Sequence, residues 1–221
     1  MENQGIEALR VDFGRNKWSR SDWLDVKSAR WDYVKQFVQE EDHIVNPCPN
    51  LSDEEIYADH VTEIYASMVY NKKFEAKAAI SSVMSFDHLM APLIVIAPHL
   101  GQDAKGRPEF REHHEVVLYN EGINVWHYTF EGGKPQWHLA AFLRAPFEAK
   151  KKHELIVTLE KRRGQVQMDI YCGKYHFGYQ DETLPESFYA GITACEGRNR
   201  FYNFKVRTGL PALDPAADGE H

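Results

Sequence analysis

Apolar residues fall along this chain in short runs that alternate with polar ones or continue unbroken, and small polar turns separate the runs. FEAKAAISSV (74–83), PLIVIAP (92–98), HEVVLY (114–119), NVWHYTF (124–130) and WHLAAFL (137–143) read as strands. So do ELIVTLE (154–160), QVQMDIY (165–171), KYHFGY (174–179), YAGITAC (189–195) and FYNFKV (201–206). The turns between them carry NEG, EGG, RRG, CGK and EGRN. Many short strands at regular turn spacing predict an antiparallel sandwich or barrel. CGK predicts a tight hairpin in which Gly173 takes a positive φ. Towards the N-terminus, RVDF (10–13) and WDYVKQFVQ (31–39) read as further strands, and LSDEEIYADH (51–60) as a short helix capped by Ser52. With no linker or repeat, residues 1–210 are expected to form a single domain. The Pro- and Ala-rich tail PALDPAADGEH (211–221) has little to bury and is expected to be loose.

The stretch HHEVVLYNEGINVWHY (113–128) is the richest in chemistry. If Glu121 and Gly122 form its turn, Asn120 faces Ile123, Tyr119 faces Asn124, Val117 faces Trp126 and Glu115 faces Tyr128. Alternation then sends His114, Val116, Leu118, Ile123, Val125 and His127 to one face, which suits a core. Arg111, His113, Glu115, Val117, Tyr119, Asn124, Trp126 and Tyr128 go to the other. On the next strand, His138 and Arg144 fall on a mixed face and Trp137, Leu139, Ala141 and Leu143 on an apolar one. If the three strands are neighbours, Arg111, His113, Glu115, Asn124, Trp126, Tyr128, His138 and Arg144 share one surface. That mixture suits a sugar. A pyranose packs its C–H face on an indole or phenol ring, and its hydroxyls need fixed donors and acceptors such as Arg, Asn, Glu and His. The alternative buries Trp126 and Tyr128 between sheets and pairs Glu115 with Arg111 at the rim, and a one-residue slip would exchange the two faces.

The strand succession, with KYHFGY after a turn glycine and YAGITACEGRNRFYNFKV closing the chain, resembles the concanavalin A-like lectin/glucanase jelly roll. RPEFREHHEVVLYNEGINVWHY (107–128) also resembles the middle of the bacterial YesU-like proteins, a galectin-like group. The resemblance spans roughly residues 64–207. It implies an all-β, antiparallel two-sheet β-sandwich whose shared aromatic and polar surface is the concave sheet, where this superfamily commonly binds saccharides. Galectins use a similar mixture of His, Asn, Arg, Glu and Trp, but their HxNPR motif is absent here, so galactoside specificity is not implied.

Three roles stay open: binding an oligosaccharide, cleaving one of plant or microbial origin, and serving as an interaction domain without a sugar ligand. Glycosidases need two carboxylates about 5 Å apart or somewhat more. The ExDxxE and ExDxE spacings of jelly-roll glucanases are absent. Glu115, aided by His113 or His138, is the candidate acid or base, and a lyase using His113, Tyr119 or Tyr128 with Arg111 against a uronate is a further possibility. No HxH, HExxH or Cys-His spacing predicts a transition metal, and no motif calls for a cofactor. Calcium on the acidic loops 40–42, 53–55 or 181–182 stays open. In CEGRNRF (195–201), Gly197 permits a tight turn, and Arg198 and Arg200 either reach a ligand over a sheet edge or pair with neighbouring acids. The formal charge of −7, with only KKK (150–152) and KRR (161–163) as basic runs, argues against a nucleic-acid partner. The first residues lack the apolar region of a secretory signal, and no run is long enough to span a membrane. Cys48, Cys172 and Cys195 cannot all pair, so reduced thiols and a cytoplasmic location are expected. Neither the sugar nor the oligomeric state is legible.

Overall fold

Residues 153–172 show how the pattern becomes structure. ELIVTLEKR and QVQMDIYC pair around the two-residue turn Arg163-Gly164, both with positive φ (52° and 88°), the twist a tight hairpin requires. The next hairpin turns at Gly173, whose φ of 58° matches the expectation for CGK. The computed structural model describes residues 6–49, 52, 54–55, 63–87, 91–131 and 134–209. Its strands run in chain order as β1 (Ile6–Asp12), β2 (Trp23–Asp25), β3 (Val38–Gln39), β4 (Ile44–Val45), β5 (Glu63–Tyr70), β6 (Phe74–Glu75), β7 (Ala78–Phe86), β8 (Pro92–Gln102), β9 (Pro108–Tyr119) and β10 (Gly122–Glu131). They continue as β11 (Lys134–Arg144), β12 (His153–Arg162), β13 (Gln165–Cys172), β14 (Tyr175–Gln180), β15 (Ser187–Glu196), β16 (Asn199–Phe201) and β17 (Asn203–Thr208).

Two antiparallel sheets result. Sheet A has the order β14-β13-β12-β7-β16-β4-β3, with β17 also beside β7 and β1 beside β17. Sheet B has the order β11-β10-β9-β8-β15-β5-β2, with β6 on β15. Distant segments thus become neighbours, β12 beside β7 and β15 between β8 and β5, which is jelly-roll connectivity. The core lies between the sheets: Ile80, Leu155, Val157, Met168, Ile170 and Phe204 from sheet A meet Met68, Ile94, Val116, Ile123, Val125 and Ile192 from sheet B. All are inaccessible to solvent, so each contributes roughly 1.5–3 kcal/mol of apolar burial.

Sheet B is covered on its outer face as well. Val69, Leu93, Val95, Ala97 and Val117 form a second apolar cluster beneath Val26 and Phe110. Double coverage explains why β5, EIYASMVY, escapes a period-two reading: Tyr65 through Val69 are all buried. The cover is a strap, residues 27–34, that takes in the start of the segment 31–39 expected to be a strand. Only Val38–Gln39 of WDYVKQFVQ pairs as one, because residues 27–34 leave the edge of β5 and return to it. Val26 N–H donates to the Ser67 carbonyl (3.2 Å) and Lys35 N–H to the Tyr65 carbonyl (2.9 Å). Between these anchors the Lys27 ammonium meets the Glu109 carboxylate at 2.5 Å, both side chains only 6% exposed. Of the expected helix, Ser52 and Glu55 exchange a capping box, Glu55 N–H to Ser52 Oγ (3.2 Å) and Ser52 N–H to Glu55 Oε2 (2.8 Å). Residues 51, 53 and 56–60, like the tail 211–221, lie outside the described residues.

Candidate functional site

The β9–β10 hairpin carries the site. Its turn is Asn120-Glu121, not Glu121-Gly122: Tyr119 pairs with Gly122, Glu115 with Trp126 and His113 with Tyr128. A Cβ at Gly122 would overlap the Leu143 carbonyl of β11, so that position needs glycine inside the sheet rather than in the turn. The turn is held from outside by Ala145 N–H to the Glu121 carbonyl and Phe147 N–H to the Asn120 carbonyl, both 3.0 Å. The change in register is even, so both faces of the hairpin keep the composition expected of them.

On the outer face of sheet B, a cleft of about 330 Å3 is lined by Leu93, Glu115, Val117, Tyr119, Asn124, Trp126, Tyr128, Trp137, Cys195 and Glu196, with Ala91 and with Arg30 of the strap. Its polar centre is Glu115. On one side His113 Nε2 lies 3.2 Å from Glu115 Oε1. The His113 ring is fully buried, stacked between Phe110 (centroids 4.5 Å) and Tyr128 (4.8 Å, 6° between planes). Tyr128 in turn stacks on Trp137 at 6.2 Å, so four rings run from β9 across β10 to the edge strand β11. Burial pushes the Tyr128 phenol far above its ordinary value, and the Glu115 charge adds to the push. The phenol therefore stays protonated. It accepts from Arg30 Nη1 (3.3 Å), and its hydrogen bond to the Glu115 carboxylate further opposes deprotonation. The Arg30 guanidinium lies over Trp31 at 4.2 Å, Trp137 at 5.5 Å and Tyr128 at 5.9 Å.

Of the residues singled out in the sequence, Glu115, Asn124, Trp126 and Tyr128 line this cleft, and His113 lies beneath Tyr128. Three others stand elsewhere. Arg111 pairs with Glu109 at 2.8 Å and donates to the Gln102 carbonyl, lying across Gly101, where a Cβ would overlap its side chain. His138 leaves the expected surface because Ala140 is an extra residue between the pairs Val125–Ala141 and Trp126–Leu139. The bulge puts His138 opposite His127, ring centroids 5.3 Å apart, and turns Trp137 and Leu139 to the Trp126 face. Arg144 pairs with Gly122 at the turn end, outside the lining. Sequence reasoning missed Arg30, Trp137, Cys195 and Glu196 as cleft residues. The one local signal was the Arg30-Trp31 pair, an arginine beside a ring that can carry it.

The remaining clusters have other partners. Arg200 Nη1 pairs with Asp87 at 2.8 Å and Arg198 donates to the Cys48 carbonyl at 3.1 Å, while Gly197 makes the turn with φ of 55°. In the acidic loops, Glu41 meets Arg15, Asp42 meets His43 and Lys152, and Asp181 accepts from Thr183. Among the described residues no group of three or more His, Cys, Asp or Glu side chains is placed to hold a metal ion, and no helix is long and apolar enough to cross a membrane. Cys48 and Cys172 are buried thiols in no disulfide, and burial pushes the Cys172 thiol up to about 11. On the core face, His114 and His127 stack at 4.4 Å, and burial first, then the neighbouring histidines, holds His114 down at about 3.

No protein-family model matches the sequence, and no curated protein matches it. Solved structures do match in fold. A protein of unknown function with a galectin-like fold from Bacillus subtilis superposes with a TM-score of 0.61 at 10% identity, over 94% of this chain and 98% of that one. An endo-acting O-glycanase of the human gut microbiota gives 0.59 at 11% identity, over 93% and 100%. The carbohydrate-binding module CBM66 from Bacillus subtilis gives 0.57 at 10% identity, over 85% and 96%. Together with the two sheets and their strand order, these likenesses give the chain a concanavalin A-like jelly-roll fold.

Proposed function

We propose that this is a carbohydrate-handling protein that binds an oligosaccharide in the outer cleft of sheet B. The observation that carries the reading is the gathering of Trp126, Tyr128 and Trp137 with Asn124 and Glu115 around one cleft. Rings offer flat apolar surface to the C–H faces of a sugar, and the side chains between them offer a carboxylate, an amide and a phenol to its hydroxyls. The polar groups are held before any ligand arrives: Glu115 by His113, Tyr128 by Arg30. Preorganisation of that kind lowers the cost of binding. The fold supports the reading in a general way, since solved proteins of this fold include carbohydrate-binding modules and glycan-cleaving enzymes. Saturation-transfer NMR against a panel of neutral and acidic oligosaccharides tests it. Transfer to at least one ligand is expected, and silence across the panel would leave the interaction-domain role in its place.

A second reading, glycoside hydrolysis, is favoured by one feature: two carboxylates, Glu115 at the floor and Glu196 at the exposed rim, line the same cleft. A hydrolase needs such a pair, one to protonate the leaving oxygen and one to attack or to activate water. New anomeric signals in the same NMR tube, lost in Glu115→Gln, would establish it. A lyase on a uronate gains less support, because Arg111 is occupied by Glu109 and the Tyr128 phenol is held protonated.

A further inference from the structure

We infer that the cleft takes the end of a neutral glycan chain rather than an interior stretch of one. The inference rests on the saccharide-binding reading and adds the part of the ligand that is recognised. It comes from the strap.

Across sheet B the groove could run from the edge strand β11, over β10, β9, β8 and β15, to β5. The two ends differ. At β5, Trp31 lies on Tyr65 with ring centroids 4.7 Å apart and 26° between planes, so stacked rings occupy the path. From there Arg30 reaches towards Tyr128 and Trp137, walling the cleft along the strap. This wall is built into the fold. Lys27 Nζ donates to the Trp31 carbonyl at 3.0 Å while pairing with buried Glu109, and Arg107 Nη2 donates to the Asp32 carbonyl at 3.0 Å. At the other end β11 is the last strand of the sheet. Its residues on the cleft face, Trp137, Leu139 and Phe142, are 52%, 41% and 58% exposed. A chain can leave over them. About 330 Å3 is at the small end of the range for ligand clefts, roughly 300–1,000 Å3. The charged groups of the lining are Glu115, Glu196 and Arg30, an excess of negative charge that disfavours a polyanionic chain.

The test is calorimetric titration of the full chain with linear ladders, from disaccharide to hexasaccharide, of β-1,3-glucan, β-1,4-glucan, mannan, xylan, galactan and fructan, with homogalacturonan as the acidic control. A bound ladder should plateau early, with affinities of trimer and hexamer within about threefold. Trp31→Ala, which opens the wall, should raise hexamer affinity several-fold over wild type and leave the disaccharide nearly unchanged. Affinity that climbs about tenfold or more from trimer to hexamer in the wild type would overturn terminal recognition while leaving saccharide binding intact. Preferential binding of homogalacturonan would overturn the neutral assignment, and no binding to any ladder would remove the saccharide reading and this inference with it.

Discussion

His113 Nε2 lies 3.2 Å from Glu115 Oε1, two positions along β9 on one face. The contact joins a buried ring, sandwiched by Phe110 and Tyr128, to a carboxylate at the floor of the cleft. The stack fixes the imidazole, and the imidazole helps to fix the carboxylate. His113→Phe keeps a ring in the stack but removes the polar contact. Its melting temperature is expected to fall little, while saccharide affinity falls by about tenfold, the loss of one charged hydrogen bond of roughly 1.5 kcal/mol. Calorimetric titration beside a thermal melt separates the two effects. A large fall in stability with unchanged affinity would make the pair purely structural.

The rings should divide in the same way. Trp137 is 52% exposed on the edge strand, so Trp137→Ala should change stability by less than about 0.5 kcal/mol while weakening binding by an order of magnitude. Trp126 is half-buried and packs against the outer apolar cluster. Trp126→Ala should therefore cost both binding and about 1–3 kcal/mol of stability by urea denaturation.

The strap depends on Lys27 and Glu109, which are almost inaccessible to water. Lys27→Met leaves the Glu109 carboxylate buried with Arg111 as its remaining ion-pair partner. A loss of about 3 kcal/mol is expected, by analogy with other broken buried pairs. Lys27→Met combined with Glu109→Gln should recover part of it. Equal stability of wild type and Lys27→Met would show that the pair does not hold the strap.

Acid sensitivity should centre on His114. Its folded-state value of about 3 lies below the ordinary 6.5, so the unfolded chain takes up this proton first as pH falls. The stability arising from neutral His114 is complete above pH 6.5 and is lost progressively from there down to about pH 3. Denaturation midpoints at pH 7.5 and 5.0 should therefore differ more for wild type than for His114→Leu, which has no such proton to gain. Identical pH dependence in the two proteins would refute the assignment.

Much of the sandwich is legible from alternation, because most strands bury one face only. The hairpin faces were legible for a further reason. An error of two in the pairing of β9 with β10 leaves every side chain on its own side, so Glu115, Asn124, Trp126 and Tyr128 still meet. One inserted residue defeats the same logic on β11, where the bulge at Ala140 exchanges His138 for Trp137. Apart from the adjacent Arg30 and Trp31, the strap was not legible. Its contacts, Trp31 on Tyr65, Lys27 with Glu109 and Arg30 over Tyr128, join residues far apart in sequence, and no local periodicity records them. β5 was hidden because Ser67 and Thr193 hydrogen-bond at 2.7 Å inside the protein, breaking an otherwise apolar run.

Saturation-transfer NMR on wild type and Trp137→Ala side by side tests the central claim most directly. The account predicts transfer to at least one neutral oligosaccharide in the wild type, strongest at one terminal residue, and a marked loss in the variant. Transfer of equal strength in both proteins would place the ligand elsewhere, and no transfer to any sugar would contradict the claim that this cleft handles carbohydrate.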